Sequence, residues 1–267
     1  EEIRVLSAAD VSDMQESGQS VAGRLMVGVH FEPGTDLRGL DLHDCNITSA
    51  TLNGVQLDRT RLDGTELSGA GLEGASLTGC QANGVNLLFA KADRADLTDA
   101  HLVSALMMGA QLEEACLKGT SLVDADLPHI SLRGAVGDQG TNFARSNLTN
   151  ADLSQTALGK RTRFSESSFR DALLLSTNFI GADLTDADFR QVNAAGAIFR
   201  DAKLTGVDFE YSNLTEVDFS GADVRGVNFA QTALTNADLR NARNVMEARF
   251  MAGCYASGRT ATRTQAG

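Results

Sequence analysis

A chain of 267 residues with a formal net charge of −12 lacks the basic face that a generic nucleic-acid binder needs, so direct nucleic-acid binding is not expected. No apolar run approaches the length of a transmembrane helix, which argues against membrane insertion. The four cysteines show neither CxxC nor CxxH spacing, which argues against a disulfide framework or a zinc site.

Residues 1–20 come before any repeat. Ser7-Ala8-Ala9-Asp10 reads as a helix start, with Ser7 as N-cap and Asp10 in the capping-box place. Leu6 and Val11 sit at the staple positions and Gly18 is a natural stop. This predicts a short helix over about 8–17, lying over the open end of whatever follows.

From Val21 an apolar residue recurs every fifth position. Val21, Met26 and Phe31 begin the series. Pro33-Gly34 marks a bulge within 32–36, since Phe31 to Leu37 is six residues. From Leu37 to Leu132 the series holds sixteen Leu, one Ile, one Met and two Ala, including Leu97 and Leu102. Two places earlier stand mostly small residues, such as Cys45, Ala50, Val55, Ala70, Ala75 and Cys80.

A helix repeats every 3.6 residues and a strand every two, so a period of five fits neither. The chain must turn a corner every five residues. Four such edges close a square coil of about twenty residues, and coils stack at about 4.8 Å. No coil buries its core alone, which is the logic of a solenoid.

After Leu132 the register slips through a turn-rich insertion at 133–142, containing Val136-Gly137-Asp138-Gln139-Gly140. The repeat resumes at Phe143, Leu148, Leu153 and Leu158. It slips again at 159–163, with Lys160, Arg161 and Arg163 forming a basic loop, then runs from Phe164 to Leu239. Forty centres make ten coils, about 50 Å of rod, with the degenerate lead-in adding up to one more.

In the second half Phe179, Phe189, Phe199, Phe209, Phe219 and Phe229 take alternate centres, with smaller residues between them. Alternation around four edges puts Phe on two opposite faces, where successive coils stack it into ladders. After Leu239 a third slip at 240–245 leaves Val245, Phe250 and Tyr255 as last centres. The alternative is a helix over 244–252 with Met246 and Phe250 facing the last coil. The repeat region is thus 21–256, and 257–267 reads as a polar tail.

Ala95-Asp96-Leu97-Thr98-Asp99, Ala151-Asp152-Leu153-Ser154-Gln155 and Ala182-Asp183-Leu184-Thr185-Asp186 resemble the pentapeptide-repeat family: a small residue, Asp or Asn, Leu or Phe, then two variable positions. The resemblance covers about four-fifths of the chain. It implies an all-β fold, a right-handed quadrilateral parallel β-helix, and it implies no single activity.

The search for chemistry finds little. His30, His43, His101 and His129 all fall on outward positions, and His43 and His101 share a face three coils apart, too far to share a metal or proton. Asp96, Asp152, Asp183, Asp208, Asp218 and Asp238 precede centres and suit turn hydrogen bonds rather than catalysis. No phosphate-binding glycine motif occurs, so no cofactor, metal or enzyme activity is expected.

Candidate partner contacts are the breaks in the pattern. They are Lys160, Arg161 and Arg163, and the exposed apolar set Leu88, Phe89, Met108 and Tyr211. The expected function is a non-enzymatic scaffold for a protein partner. The chain opens on Glu1 rather than Met, which suits a processed form or a module of a longer bacterial protein. The stretch from Glu16 to Leu42 resembles the start of repeat arrays attached to bacterial secretion-system adaptors. The alternative is a DNA mimic that binds a type II topoisomerase such as gyrase, as the quinolone-resistance branch of the resembled family does. Free thiols suit a reducing compartment, the bacterial cytoplasm.

Overall fold

The structure, a computed structural model, describes residues 4–158 and 161–250. One repeat explains the architecture, because each of its five backbone N–H groups has an acceptor of its own. In residues 95–99, Ala95 N–H donates to Ala92 O at 3.1 Å, closing a turn. Asp96 N–H donates to Ala75 O, one coil before, at 2.9 Å. Leu97 and Asp99 N–H each donate one coil onward, to Cys116 O and Lys118 O, at 2.8 Å. Thr98 N–H finds no backbone partner and donates to the Asp96 carboxylate at 2.9 Å. The Asp before the centre therefore completes the hydrogen bonding of its own corner, the reason this residue type recurs there. Asp152, Asp183, Asp208, Asp218 and Asp238 do the same.

Each edge contributes a single parallel bridge to the coil on either side, so the sheets are ladders of isolated bridges. The coils form a right-handed quadrilateral β-helix with four faces. The first face runs through the rungs of Leu37, Leu97, Phe179, Phe199 and Phe219. The second carries Leu42, Leu102, Phe143 and Phe164. The third carries Leu6, Met26, Leu87, Met107, Phe189, Phe209 and Phe229. The fourth carries Phe31, Leu112, Ala194 and Leu234.

On the third face twelve successive bridges lead from Val5↔Leu25 to Asn228↔Arg249. Among the described residues the other three faces hold eleven rungs each, in keeping with ten to eleven coils, and the third face adds one rung at each end. Val5, ahead of the helix, already pairs with Leu25, and Arg249, beyond the last slip, still pairs with Asn228.

Helix α1 spans Ala8–Glu16, with Ser7 as N-cap and a complete capping box to Asp10. Leu6 and Val11 are buried and Met14 packs against the core, so α1 closes the N-terminal coil as the capping signals predict. At the other end the alternative of a helix over 244–252 is not seen among its described residues, 244–250. Asn244 sits at φ 61° and leads into a 3-10 turn at Val245–Glu247 that leaves Met246 82% exposed. Phe250 instead continues the third face, stacking on Phe229 with ring centroids 5.0 Å apart. Tyr255 and the tail lie outside the described residues.

The two central slips are smaller than an insertion. Gly137 holds a centre of the first face, because Cys116↔Val136 and Val136↔Ala157 keep the ladder unbroken. No side chain fits there: a Cβ at Gly137 would lie 2.9 Å from the Thr141 hydroxyl and 3.3 Å from Leu158 O. One residue is added between Gly137 and Phe143, held by Asp138, which accepts from the N–H groups of Gly119 and Gly140 at 2.9 and 2.8 Å. A second single residue is added before Phe164, and between the two each coil advances 21 residues instead of 20.

The axis is filled. Leu97, Leu102 and all six alternating Phe are buried. Phe179, Phe199 and Phe219 stack on the first face at 4.9 and 5.3 Å. On the third, Phe189 and Phe209 meet tilted by 56° at 5.1 Å, and Phe209 and Phe229 stack at 5.7 Å. Across the square the two ladders meet edge to face, as at Phe199–Phe209, 5.7 Å and 81°. Where Ala82 and Ala92 take centres the square is underfilled, leaving a dry void lined by aliphatic side chains including Leu62 and Leu97.

Candidate interaction surfaces

With the interior closed, any function lies on the outward columns. Among the described residues no group of three or more His, Cys, Asp or Glu is placed to hold a metal. None of their helices is long and apolar enough to cross a membrane. His43 Nδ1–H donates to the Asp41 carboxylate at 2.6 Å, and His43 stays three rungs from His101 on the second face.

The basic loop resolves into separate structural roles. Lys160 lies outside the described residues. Arg161 holds a corner of the first face at φ 71°, its N–H on Gly181 O at 3.1 Å. Between it and Arg163, Thr162 is buried and donates its hydroxyl inward to Asp138 O and Leu158 O. Arg163 begins a second-face column that reads Arg163, Asp183, Lys203, Asp223, Arg243 on successive rungs, alternating in sign. Lys203 reaches Asp183 at 3.3 Å within it. Arg161 and Arg163 thus stand on different faces and do not form one patch.

Elsewhere carboxylates are also neutralised locally. Arg145 grips Asp124 through two bonds of 2.7 and 2.8 Å, and Arg200, Arg240 and Arg38 each hold an Asp at 2.6 Å. The Arg38 side chain draws the Asp36 carboxyl down to about 2. For Asp183, Asp188 and Asp218 partial burial works to raise the pKa, and hydroxyl, backbone and cationic partners outweigh it, so all three end below the ordinary carboxylate value. Depressed carboxylates stabilise the fold above their unfolded pKa of about 4, and that contribution is lost as pH falls through the folded values. The melting temperature should therefore be flat from neutral pH down to about 5 and fall progressively between about pH 4 and 2. A fall that begins above pH 6 in a thermal scan would show another group in control.

The apolar candidates divide. Tyr211 and Phe89 share one edge of the third face at positive φ, 63° and 56°, both more than 60% exposed, but they stand six rungs apart. Tyr211 is flanked on its column by Gln191 and Gln231. Phe89, Leu88 and Met108 lie together, and with them Leu106, which the sequence reading passed over. Its signal was available: Leu106 occupies the place before a centre that neighbouring third-face repeats fill with Asn86 and Asp126.

The family profile described as pentapeptide repeats matches the chain in eight copies, over residues 34–64, 60–99, 93–127, 139–160, 160–193, 172–210, 182–221 and 212–243. No curated protein sequence matches it. Among solved structures it is similar to HetL, a pentapeptide repeat protein involved in heterocyst differentiation regulation from the cyanobacterium Nostoc sp. strain PCC 7120. Identity there is 23%, covering 91% of this chain and 94% of HetL, with a TM-score of 0.56. A trypsin-treated variant of the plasmid-mediated fluoroquinolone resistance protein QnrB1 is 17% identical over 88% of this chain and 85% of its own, at a TM-score of 0.28. Rfr23 from the cyanobacterium Cyanothece 51142 is 16% identical over 57% of this chain and 91% of its own, at 0.30.

Proposed function

As the chain belongs to the pentapeptide-repeat family, we propose that it is a non-enzymatic scaffold, a rigid rod that presents outward side chains to a protein partner. One observation carries this reading. Every fifth side chain fills the axis, so the outward columns hold fixed positions about 4.8 Å apart on four flat faces. Flat faces of that kind suit recognition of another macromolecular surface better than enclosure of a small substrate. The interleaving of acid and base, as in the column from Arg163 to Arg243, favours a protein partner over mimicry of DNA. A phosphate mimic would present one sign of charge along a face.

The test is a photo-crosslinking amino acid placed outward on each face, at Gln56, Gln81, Leu106 and Gln111 in turn, with the protein expressed in its native host. A discrete protein adduct from at least one face is the expected result. No adduct from any of the four would overturn the reading.

A further inference from the structure

Three successive rungs of the third face carry an apolar strip. Leu88 and Phe89 flank the Leu87 rung, Leu106 and Met108 flank the Met107 rung, and Pro128 follows Leu127. Leu106 is 43% and Met108 38% exposed. The core beneath does not need these side chains, since Leu87, Met107 and Leu127 already fill it. On the two rungs before the strip and the one after it, the same columns hold Asn46, Thr48, Glu66, Ser68, Asn147 and Thr149.

Phe89 is the most telling member. A bulky side chain in the left-handed region costs about 1–2 kcal/mol, and Gly, Asn or Asp is the usual occupant. Its ring lies over Gly109 of the next rung, where a Cβ would come within 2.6 Å of Phe89 Cδ1. One edge of the aromatic ring is thus seated against the rod while the side chain stays exposed. Carboxylates bound the strip. Glu66 lies one rung before it and Asp126 on its last rung, and neither forms an ion pair among the described residues. Each accepts from an Asn side chain of the following rung, Asn86 at 2.7 Å and Asn147 at 2.8 Å, which positions its charge without cancelling it.

We propose that this strip docks a cationic amphipathic helix of a partner protein, laid along the long axis of the rod. The proposal rests on the scaffold reading and adds the place and the partner's chemistry. The helix pitch of about 5.4 Å nearly matches the rung spacing of about 4.8 Å, so three successive turns meet three successive rungs. Apolar anchors at i, i+3 or i+4 and i+7 fall on the Phe89, Met108 and Pro128 rungs. Lys or Arg at either end of the anchors meets Glu66 and Asp126. A second copy of the chain fits worse. Strip against strip in a two-fold pair would set Glu66 of one copy against Asp126 of the other, on chains of net charge −12.

The test uses a fluorescein-labelled synthetic peptide of about eighteen residues, Leu at those spacings and Lys at both ends, with a scrambled peptide of equal composition as control. Fluorescence anisotropy should give binding of the patterned peptide that weakens with salt. Phe89→Ser with Met108→Ser should weaken it about tenfold or more, and Tyr211→Ser should leave it unchanged. Gly109→Ala, which displaces the Phe89 ring without removing an apolar atom, should weaken it as well. Absence of binding, equal binding of the scrambled peptide, or indifference to the Phe89 and Met108 changes would overturn the docking site. So would a dimer by light scattering that Phe89→Ser dissolves. Crosslinks from other faces, with no binding of this peptide, would overturn the docking site and leave the scaffold reading standing.

Discussion

Leu97→Lys should destabilise the rod by about 5 kcal/mol or more, enough to leave much of the chain unfolded at 37 °C. Leu97 is 3% exposed on the first face, and its surroundings are aliphatic, including Leu62, Leu102 and the void left by Ala82 and Ala92. Spare room there does not rescue an ammonium group, because the void offers neither a carboxylate nor a hydrogen-bond acceptor. The buried lysine would lower its own pKa to escape the charge. Its folded pKa then lies below the unfolded value of about 10.4, so the penalty is full at low pH and shrinks as pH rises through that window. The variant should therefore recover stability between pH 7 and 10 in urea titrations, while wild type changes little. Leu97→Met should cost less than about 1.5 kcal/mol, and Gln111→Lys, on an exposed outward position, about nothing. A Leu97→Lys protein that melts with wild type would remove the inward assignment, and the filled axis with it.

What the sequence carried of this was the period. Twenty centres without a polar residue place Leu97 inside with no coordinates, because only a corner every five residues keeps all of them on the axis. The Asp before each centre was legible too, since its short side chain matches the one backbone N–H that the coil leaves over. The ends and slips were less so. Gly137 looks like a loop residue in one dimension, and only the bridges of Val136 to both neighbouring coils reveal that it holds a centre, with the Thr141 hydroxyl leaving no room for a Cβ. Met246 and Phe250 have helical spacing, yet Phe250 stacks on the buried ring of Phe229, and continuing that ladder outweighs local preference. The basic loop reads as a patch because Lys160, Arg161 and Arg163 are neighbours in sequence. The corner between Arg161 and Arg163 sends these two arginines to different faces. The apolar strip shows the converse: Phe89 and Met108 lie nineteen residues apart in sequence and on adjacent rungs in space.

Phe199→Ala should cost about 3–5 kcal/mol, near the top of what a single truncation does. Phe199 is fully buried between Phe179 and Phe219, with ring centroids at 4.9 and 5.3 Å, and meets Phe189 and Phe209 edge-on. Its removal leaves a cavity that four rings on two ladders border, and rigid rings in a closed coil collapse into it poorly. The loss also falls in mid-array, where each coil is supported only by its neighbours, so the coils on either side should decouple. Hydrogen exchange should then show residues from 204 onward opening at a lower free energy than residues 40–130, where wild type protects both. The complementarity of the square adds a sharper check. Ala194 is the small fourth-face centre of the same coil. Ala194→Leu alone overpacks the site and should destabilise by about 1–3 kcal/mol. Combined with Phe199→Ala, the added volume enters the space the ring has left, and the double variant should be more stable than the sum of the two losses predicts. Strict additivity in denaturant titrations would mean that Phe199 and Ala194 do not share one filled cross-section, and the alternation of large and small centres would lose its packing explanation.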